Sequence, residues 1–414
     1  MTTTLDAAAL SRALQDRIPS LDVRDGTPEH AIDGLQPALI VSPSSQTDVA
    51  AVLGIASEAG AAVAPRGGGT QTALGGAPER YDIALDLTGL DALVENEPAD
   101  LTVTVEAGMR LSELQRRLGA HGQWLPLDPS LPDEATIGGI LAANASGPAR
   151  IRYGSARDLV IGMTVALANG DLVKSGGRVV KNVAGYDMAK LHIGALGTLG
   201  VITQASFKVA PLPVDESFVA IDGELEKLTT LAADVIEARL PLLGLVLTKQ
   251  ASAADWTLAV RTGGGEAAVE RSQHEIGRLA VAAGLTDAPI TASVWRLATH
   301  LSGEVVARVT ASTTQLRELA DEIKTANGEI CALPGIGVAT AAWASTPDAK
   351  TLAALRTHCN AVGGALILER APVELKREAG VWGATRGDFA LMQRLKHEFD
   401  PNRVLNPGRF IGGI

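Results

Sequence analysis

PRGGGTQTALGG, residues 65–76, is the stretch on which the reading of this chain turns. Five glycines fall in these twelve residues, three of them consecutive, with Arg66, Thr70 and Thr72 among them. Glycine loses more backbone entropy on ordering than any other residue, so the run is unsuited to a helix or strand interior. Two readings remain. One is a flexible connection. The other is a cradle in which successive bare N–H groups meet phosphate oxygens.

The residues upstream favour the cradle. Residues 38–42, ALIVS, read as a short buried strand. Ser45 and Asp48 form a capping-box pattern, and Val49, Val52, Leu53 and Ala56 then share one helical stripe. Gly60 can close that helix, and residues 61–63, AAV, make a second strand that runs into the glycines. A strand–helix–strand unit ending in a glycine-rich turn is how many nucleotide sites begin. The loop lacks the G-x-G-x-x-G pattern, and no P-loop lysine follows, so a Rossmann nicotinamide site and a P-loop ATP site both lose ground.

Downstream, residues 82–87 and 101–108 alternate as strands, and Leu111, Leu114 and Leu118 mark one helix face. Residues 133–147, DEATIGGILAANASG, form a second glycine-bearing stretch, with bare backbone at Gly138 and Gly139 and polar tips at Asn144 and Ser146. With the first loop it suits a large flat ligand carrying a pyrophosphate. The competing reading of this second stretch is a helix packed tightly on a sheet. Residues 163–176 read as a hairpin joined by Asn169-Gly170, the pair favoured in type I′ turns. A domain boundary is expected near Pro211–Pro213. Beyond it, strand candidates alternate with helix candidates at 225–239, 266–283, 314–326 and 349–362, which predicts a sheet covered by helices on one face. The glycines at 263–265 read as the turn between one such strand and helix.

Bulk properties narrow the function. The 414 residues suggest two domains. The hydrophobic fraction of 46% fills cores, with aromatics at only 3%. A net charge of −11 argues against nucleic acid or an anionic membrane as the main partner. Cys331 and Cys359 show neither metal spacing nor a disulfide framework, and the seven histidines have no ligand spacing. No signal peptide and no transmembrane run is read from the sequence. The expected location is the cytoplasm, with any attachment to the inner membrane made through partners.

Taken together, IVSPSSQTDVAAVLGIASEAGAAVAPRGGGTQTALGG, TIGGILAANASGPARIRYGSARDLVIGMTVALANGDLV and LGTLGVIT resemble the FAD domain of the vanillyl-alcohol-oxidase-type (PCMH-type) flavoproteins. KNVAGYDMAKLHIGALGTLGVIT and the closing NPGRF are similar to the glycolate oxidase subunits, most of all the smaller FAD-binding one. The likeness is collinear over roughly residues 36–212 and returns at 386–410. It implies an α+β protein with an N-terminal extension (1–35), a two-lobed FAD-binding domain (36–212), a smaller α+β cap domain (213–385) and a C-terminal segment (386–414) that packs back on the FAD domain.

Carried over residue by residue, the resemblance makes Pro65, Arg66, Gly67, Gly68, Gly69, Thr70 and Gln71 the loop that cradles the FAD pyrophosphate. Thr136, Gly138, Gly139, Asn144, Ser146 and Gly147 would line the ribityl chain and isoalloxazine, Ile202 would present backbone to the adenine side, and Asn406 would reach the flavin ring. Relatives often tether FAD through a histidine in the loop. Thr70 stands there instead, so non-covalent FAD is expected. Lys181, Asn182, Tyr186 and Asp187 would lie near the inner face of the FAD domain, or else Asp187 caps a helix and Lys181 is solvated.

One departure matters. Members that oxidise (R)-2-hydroxy acids carry metal-holding histidines in the cap. The comparable stretch here is residues 332–343, with Leu333 and Thr340 at the histidine places and Ile336 at the aspartate place, so no metal site is expected. Glu369 with Arg370 stands where a Glu-His pair would be. Arg296 and Arg308 fall near basic residues that hold a substrate carboxylate in relatives. Two versions follow. In one, a 2-hydroxy acid is held by Arg296 or Arg308 while Glu369 acts as base. In the other, the chain keeps the flavoprotein fold but substrate is oxidised on a partner. The implied partners are a larger catalytic glycolate oxidase flavoprotein subunit and an iron–sulfur subunit. A stand-alone oxidoreductase is the remaining alternative.

Overall fold

The computed structural model describes residues 6–177, 187–250, 253–292, 295–296, 300–385 and 387–414. Of the polar cluster anticipated around KNVAGYD, Lys181, Asn182 and Tyr186 lie outside the described residues. Asp187 pairs with Lys190 at 3.0 Å rather than capping a helix with its side chain.

The first lobe is a small sheet of β1 (Asp22–Asp25), β2 (Leu39–Ser42), β3 (Val63–Arg66) and β4 (Ile83–Asp86), ordered β1-β2-β4-β3. β2, β4 and β3 run parallel, which requires the crossover helix Gln46–Ala59. Ser45 Oγ accepts the Asp48 N–H at 3.0 Å to start that helix, and Gly60 closes it with φ +66°. Its stripe of Val49, Val52, Leu53 and Ala56 is fully buried against the sheet. β3 extends further than the sequence suggests. Pro65 and Arg66 are paired with Leu85 and Asp86, so the loop proper begins at Gly67. Proline is tolerated because β3 is a sheet edge.

That edge is covered by the C-terminal tail. The Val63 N–H donates to Val404 O at 2.7 Å and the Asn406 N–H donates to Val63 O at 2.9 Å, so the tail runs beside β3 as an added parallel partner. Val404 and Leu405 join the first lobe's core.

The second lobe is an antiparallel sheet formed by β5 (Leu93–Glu97), β6 (Thr102–Glu106), β8 (Val160–Ala166), β9 (Leu172–Gly176) and β10 (Val201–Lys208), ordered β5-β6-β10-β8-β9. Between them, β7 (Gln123–Trp124) pairs with β11 (Ala210–Pro211). The β8–β9 hairpin is present, but its turn is not type I′. Gly170 donates to Leu167 O and Leu167 donates to Asp171 O, while only Gly170, at φ +88°, is left-handed. This is a three-residue loop with a left-handed glycine, set by the pairing of Ala166 with Leu172.

The rest of the chain builds one eight-stranded antiparallel sheet. Its strands are β12 (Asp215–Gly223), β13 (Leu242–Lys249), β14 (Trp256–Gly264), β15 (Asp287–Pro289), β16 (Val305–Thr310), β17 (Glu329–Leu333), β18 (Val338–Trp343) and β19 (Ala365–Arg370), ordered β15-β12-β14-β13-β17-β18-β16-β19. Helices Leu225–Glu237, Glu266–Ala282, Leu316–Thr325 and Ala349–Ala361 cover one face, with Leu228, Ile276, Leu319 and Leu355 packed on Leu245, Leu258, Ala307 and Ala341. Because strand side chains alternate, the intervening residues Val246, Cys331, Arg308 and Thr340 point to the opposite face. The architecture is α+β, and the opposite face of this sheet is where the second cavity described below opens.

Candidate active site

Two cavities meet at Gln71, which lines both. The first is walled by the glycine loop, by helix Ile137–Ala143, by the turn Leu196–Gly197 and by the tail residues Asn406 and Arg409. It gathers most of the residues anticipated for cofactor binding: Pro65, Arg66, Gly67, Gly68, Gly69, Thr70, Gln71, Thr136, Gly138, Gly139, Ile202 and Asn406. Asn144, Ser146 and Gly147 lie in the second cavity instead, one turn past the end of that helix.

The two glycine stretches differ in what their N–H groups do. At the second, Ile137 donates to Met109 O, Gly138 to Ala107 O at 2.7 Å, and Gly139 to Thr136 Oγ1 at 3.3 Å. The first-turn donors of this helix are thus consumed by the protein, and the stretch serves as a wall of small residues. Among the described residues, the N–H groups from Gly67 to Gln71 find no protein acceptor. The free donors lie in the first loop, where an anion can collect them.

Bare backbone is required there for a second reason. A Cβ on Gly68 would lie 1.7 Å from Glu134 O, and one on Gly67 would lie 2.0 Å from Thr136 Oγ1. The loop is clamped against the 134–136 segment, so it is a fixed cradle and not a floppy connection.

Further groups fix the cradle's rear. Arg409 donates through Nη2 to Thr72 O at 2.8 Å and Leu74 O at 2.5 Å. Lys376, on helix Val373–Ala379, donates to Asp33 Oδ1 at 2.7 Å and to Ala73 O at 2.6 Å. The tail is held in turn by a buried pair. Lys396 Nζ donates to Asp400 Oδ2 at 2.6 Å, Thr198 O at 2.8 Å and Leu405 O at 2.8 Å, while Asp400 accepts the N–H groups of Val404 and Leu405, both at 2.8 Å. Asn406 Nδ2 donates to Leu196 O at 2.6 Å, which ties the tail to the second lobe. Its Oδ1 is buried without a partner.

The residues fit FAD. A row of free N–H groups suits a diphosphate, among the described residues two arginines and no carboxylate line the cavity, and the orphaned Asn406 Oδ1 suits a donor on a polar ring edge. Tyr81 also lines it, and burial pushes its phenol up to about 12. Sequence pattern did not mark Arg409 or Tyr81. The signal for Arg409 was its place in NPGRF beside Asn406.

The second cavity, of about 810 Å³, lies between the 128–150 segment and the open face of the large sheet. The residues anticipated for catalysis, Arg296, Arg308 and Glu369, all line it. Arg308 Nε lies 3.4 Å from Glu369 Oε1. Glu369 sits at a β-bulge, since Leu368 pairs with Ala307 and Arg370 with the next residue, Val306. Bulges re-aim side chains in this way. Thr340 stands opposite both Arg308 and Cys331, and Leu333 lines the same wall, so the positions compared with metal-holding histidines face this cavity. Burial pushes the Cys331 thiol up to about 12 and the Cys359 thiol to about 11, which leaves both unreactive.

At the cavity's inner end, Arg261 pairs with Glu216 at 3.0 Å and lies over the Trp124 ring, 5.7 Å from its centroid. Asp128 accepts the Ala149 N–H at 2.8 Å, and burial pushes its carboxyl up to about 7. Nothing in the sequence pattern singled out Asp128 or Arg261. They are brought together only when β14 packs against the 128–150 segment.

Residues 37–176 match the family described as FAD binding domain, and residues 375–410 match the C-terminal domain of FAD linked oxidases. Glycolate oxidase subunit GlcE of Escherichia coli is 34% identical over 194 residues, covering 47% of this chain and 54% of the relative. Glycolate oxidase subunit GlcD of Bacillus subtilis is 33% identical over 217 residues, 52% of this chain and 46% of the relative. A D-lactate dehydrogenase of Archaeoglobus fulgidus is 32% identical, over 51% of this chain and 48% of the relative. The chain therefore spans about half the length of these curated relatives. A solved structure of alkyldihydroxyacetonephosphate synthase superposes with a TM-score of 0.74 at 18% identity, covering 97% of this chain and 84% of that one, and shares its fold.

Proposed function

We propose, from the match of residues 37–176 to an FAD binding domain and of residues 375–410 to the C-terminal domain of FAD linked oxidases, that this chain is an FAD-dependent oxidoreductase acting on the CH–OH group of a 2-hydroxy acid. The observation that carries the reading is the meeting of the two cavities at Gln71, one with unopposed cations and free N–H donors, the other with an arginine and a carboxylate 3.4 Å apart. FAD, when bound, supplies the two-electron acceptor that takes hydride from the carbinol carbon. Residues 67–71 would hold its diphosphate, and Asn406 would serve its ring region. Binding is non-covalent, because Thr70 offers no imidazole for a tether.

In the second cavity Arg308 engages Glu369 through Nε, which leaves its terminal nitrogens for a substrate carboxylate. Arg296 is a second candidate for that task. Glu369 is placed to accept the hydroxyl proton of a 2-hydroxy acid, the base needed for its conversion to a 2-oxo acid. Thr340 and Leu333 stand where metal ligands would be, so Arg308 supplies the positive charge at this wall. Residues 36–212 act as the FAD unit, 213–385 as the substrate-side unit, and 386–414 as the strap between them. The similarity to glycolate oxidase subunits supports glycolate or another (R)-2-hydroxy acid as substrate. It also supports a role in a complex with a larger flavoprotein subunit and an iron–sulfur subunit.

The test is anaerobic. Purified protein, yellow from absorbance near about 450 nm, is mixed with glycolate or D-lactate, and bleaching supports turnover on this chain. If the flavin is present but bleaches only when the partner subunits are added, the chain is an accessory subunit. If no flavin binds, the oxidoreductase reading fails. Acid precipitation that leaves the flavin in the supernatant confirms the absence of a tether.

A further inference from the structure

Arg409 is 5% exposed, yet only one of its three guanidinium nitrogens is used. Nη2 serves the carbonyls of Thr72 and Leu74, while Nε and Nη1 are buried with no partner. Arg409 lines the glycine-loop cavity, where among the described residues the only other lining cation is Arg66 and no aspartate or glutamate is present. Asp33, whose charge reaches Arg409, is engaged by Lys376. A charged group buried with two unmet donors is expensive unless an anion arrives to meet them. Burial lowers its pKa only to about 10, so the group stays charged at neutral pH.

We propose that Arg409 is a specific anion-binding residue for the diphosphate of the flavin nucleotide, acting from the tail side of the cavity while residues 67–71 act from the loop side. This rests on the FAD reading above. It adds a second charge to that of Arg66 in a site otherwise made mostly of backbone, and it makes nucleotide affinity depend on the tail being seated. Because Nη2 is committed to Thr72 and Leu74, the guanidinium is held at the cavity's rear before ligand enters, so its charge is already in place.

The experiment compares wild type with Arg409→Met and Arg409→Lys, using flavin-stripped protein of residues 1–414. Binding of FAD, ADP and adenosine is measured by calorimetry. Wild type is expected to favour ADP over adenosine. In Arg409→Met, FAD and ADP weaken roughly 10- to 100-fold, the scale of charge-assisted hydrogen bonds in a dry site, while adenosine is unchanged. Arg409→Lys recovers part of the loss, and higher salt weakens ADP less in the methionine variant than in wild type. If the substitution weakens ADP and adenosine equally, Arg409 only props the loop and the proposal is overturned. Unchanged ADP binding overturns it as well. If Arg409→Met fails to fold, the Lys variant decides, because a propping role predicts no change in the ADP-to-adenosine ratio. Wild type that binds neither FAD nor ADP refutes the FAD reading itself, which separates the two failures.

Discussion

The two cavities are built on opposite principles. The glycine-loop cavity is made mostly of backbone: free N–H groups, small residues that let segments touch, and cations with no acid facing them. The sheet-face cavity is made of side chains from alternate strand positions, and its charges are largely matched, Arg308 by Glu369 and Arg261 by Glu216. The first is a rigid receptor waiting for negative charge. The second is close to electrically balanced, so on the chemistry proposed above a small displacement of Arg308 from Glu369 would exchange an internal partner for a substrate carboxylate. That proposal divides a binding site and a chemical site between backbone and side chains.

The sharpest way to break this comparison is Gly68→Asp. Any side chain there collides with Glu134 O, and the aspartate adds negative charge to a site designed for an anion. Complete loss of bound flavin is expected, with destabilisation above about 3 kcal/mol by thermal unfolding. Retained flavin would mean that the loop is not the cradle.

Glu369→Gln tests the other cavity. Flavin content should be unchanged, while the rate of flavin reduction by a 2-hydroxy acid falls roughly 100- to 10,000-fold in stopped-flow traces. An unchanged rate would remove the base from the proposed chemistry.

Lys396→Met probes the strap that joins the tail to both lobes. It leaves the buried Asp400 carboxylate without its cation and frees Leu405 O and Thr198 O, so urea titration should show a loss of about 3–5 kcal/mol. Flavin release at lower denaturant than global unfolding would show that the tail controls the first cavity.

The smallest effect is a pH dependence. Asp128 is raised to about 7 in the folded state, so the folded chain binds a proton more tightly than the unfolded chain. This contribution is fully present below the ordinary aspartate pKa and is lost as pH rises through about 7. Asp128→Asn should therefore gain stability relative to wild type, by about 4 kcal/mol between pH 4 and pH 7, and be level above that. A flat difference across that range would place Asp128 in a wetter environment.

How much of this was legible in the sequence depended on chain distance. The crossover unit at 38–63 was readable because its cap, its stripe and its terminating glycine act within a few residues of one another. Gly67 to Gln71 could be suspected for the same reason. Asn406 was reached only through resemblance, since what places it is the pairing of the tail with Val63, more than three hundred residues away. The hairpin at 163–176 was readable, but its turn was not, because the register of Ala166 with Leu172 selects a three-residue loop over the two-residue one that Asn-Gly favours in isolation. Asp128 and Arg261 carried no local signal at all.

The sequence by itself determined the local elements and the α+β layering, since periodicity and capping are short-range properties of the chain. It also determined which segments have bare backbone. Tertiary structure decided which bare backbone stays unpaired. Two glycine stretches look alike on paper, yet helix Ile137–Ala143 docks its N–H groups on Met109 and Ala107 while the 67–71 loop keeps its own free. It also decided that Arg409 is buried and half-satisfied, because only packing removes water from a guanidinium, and only that removal turns an ordinary arginine into a site.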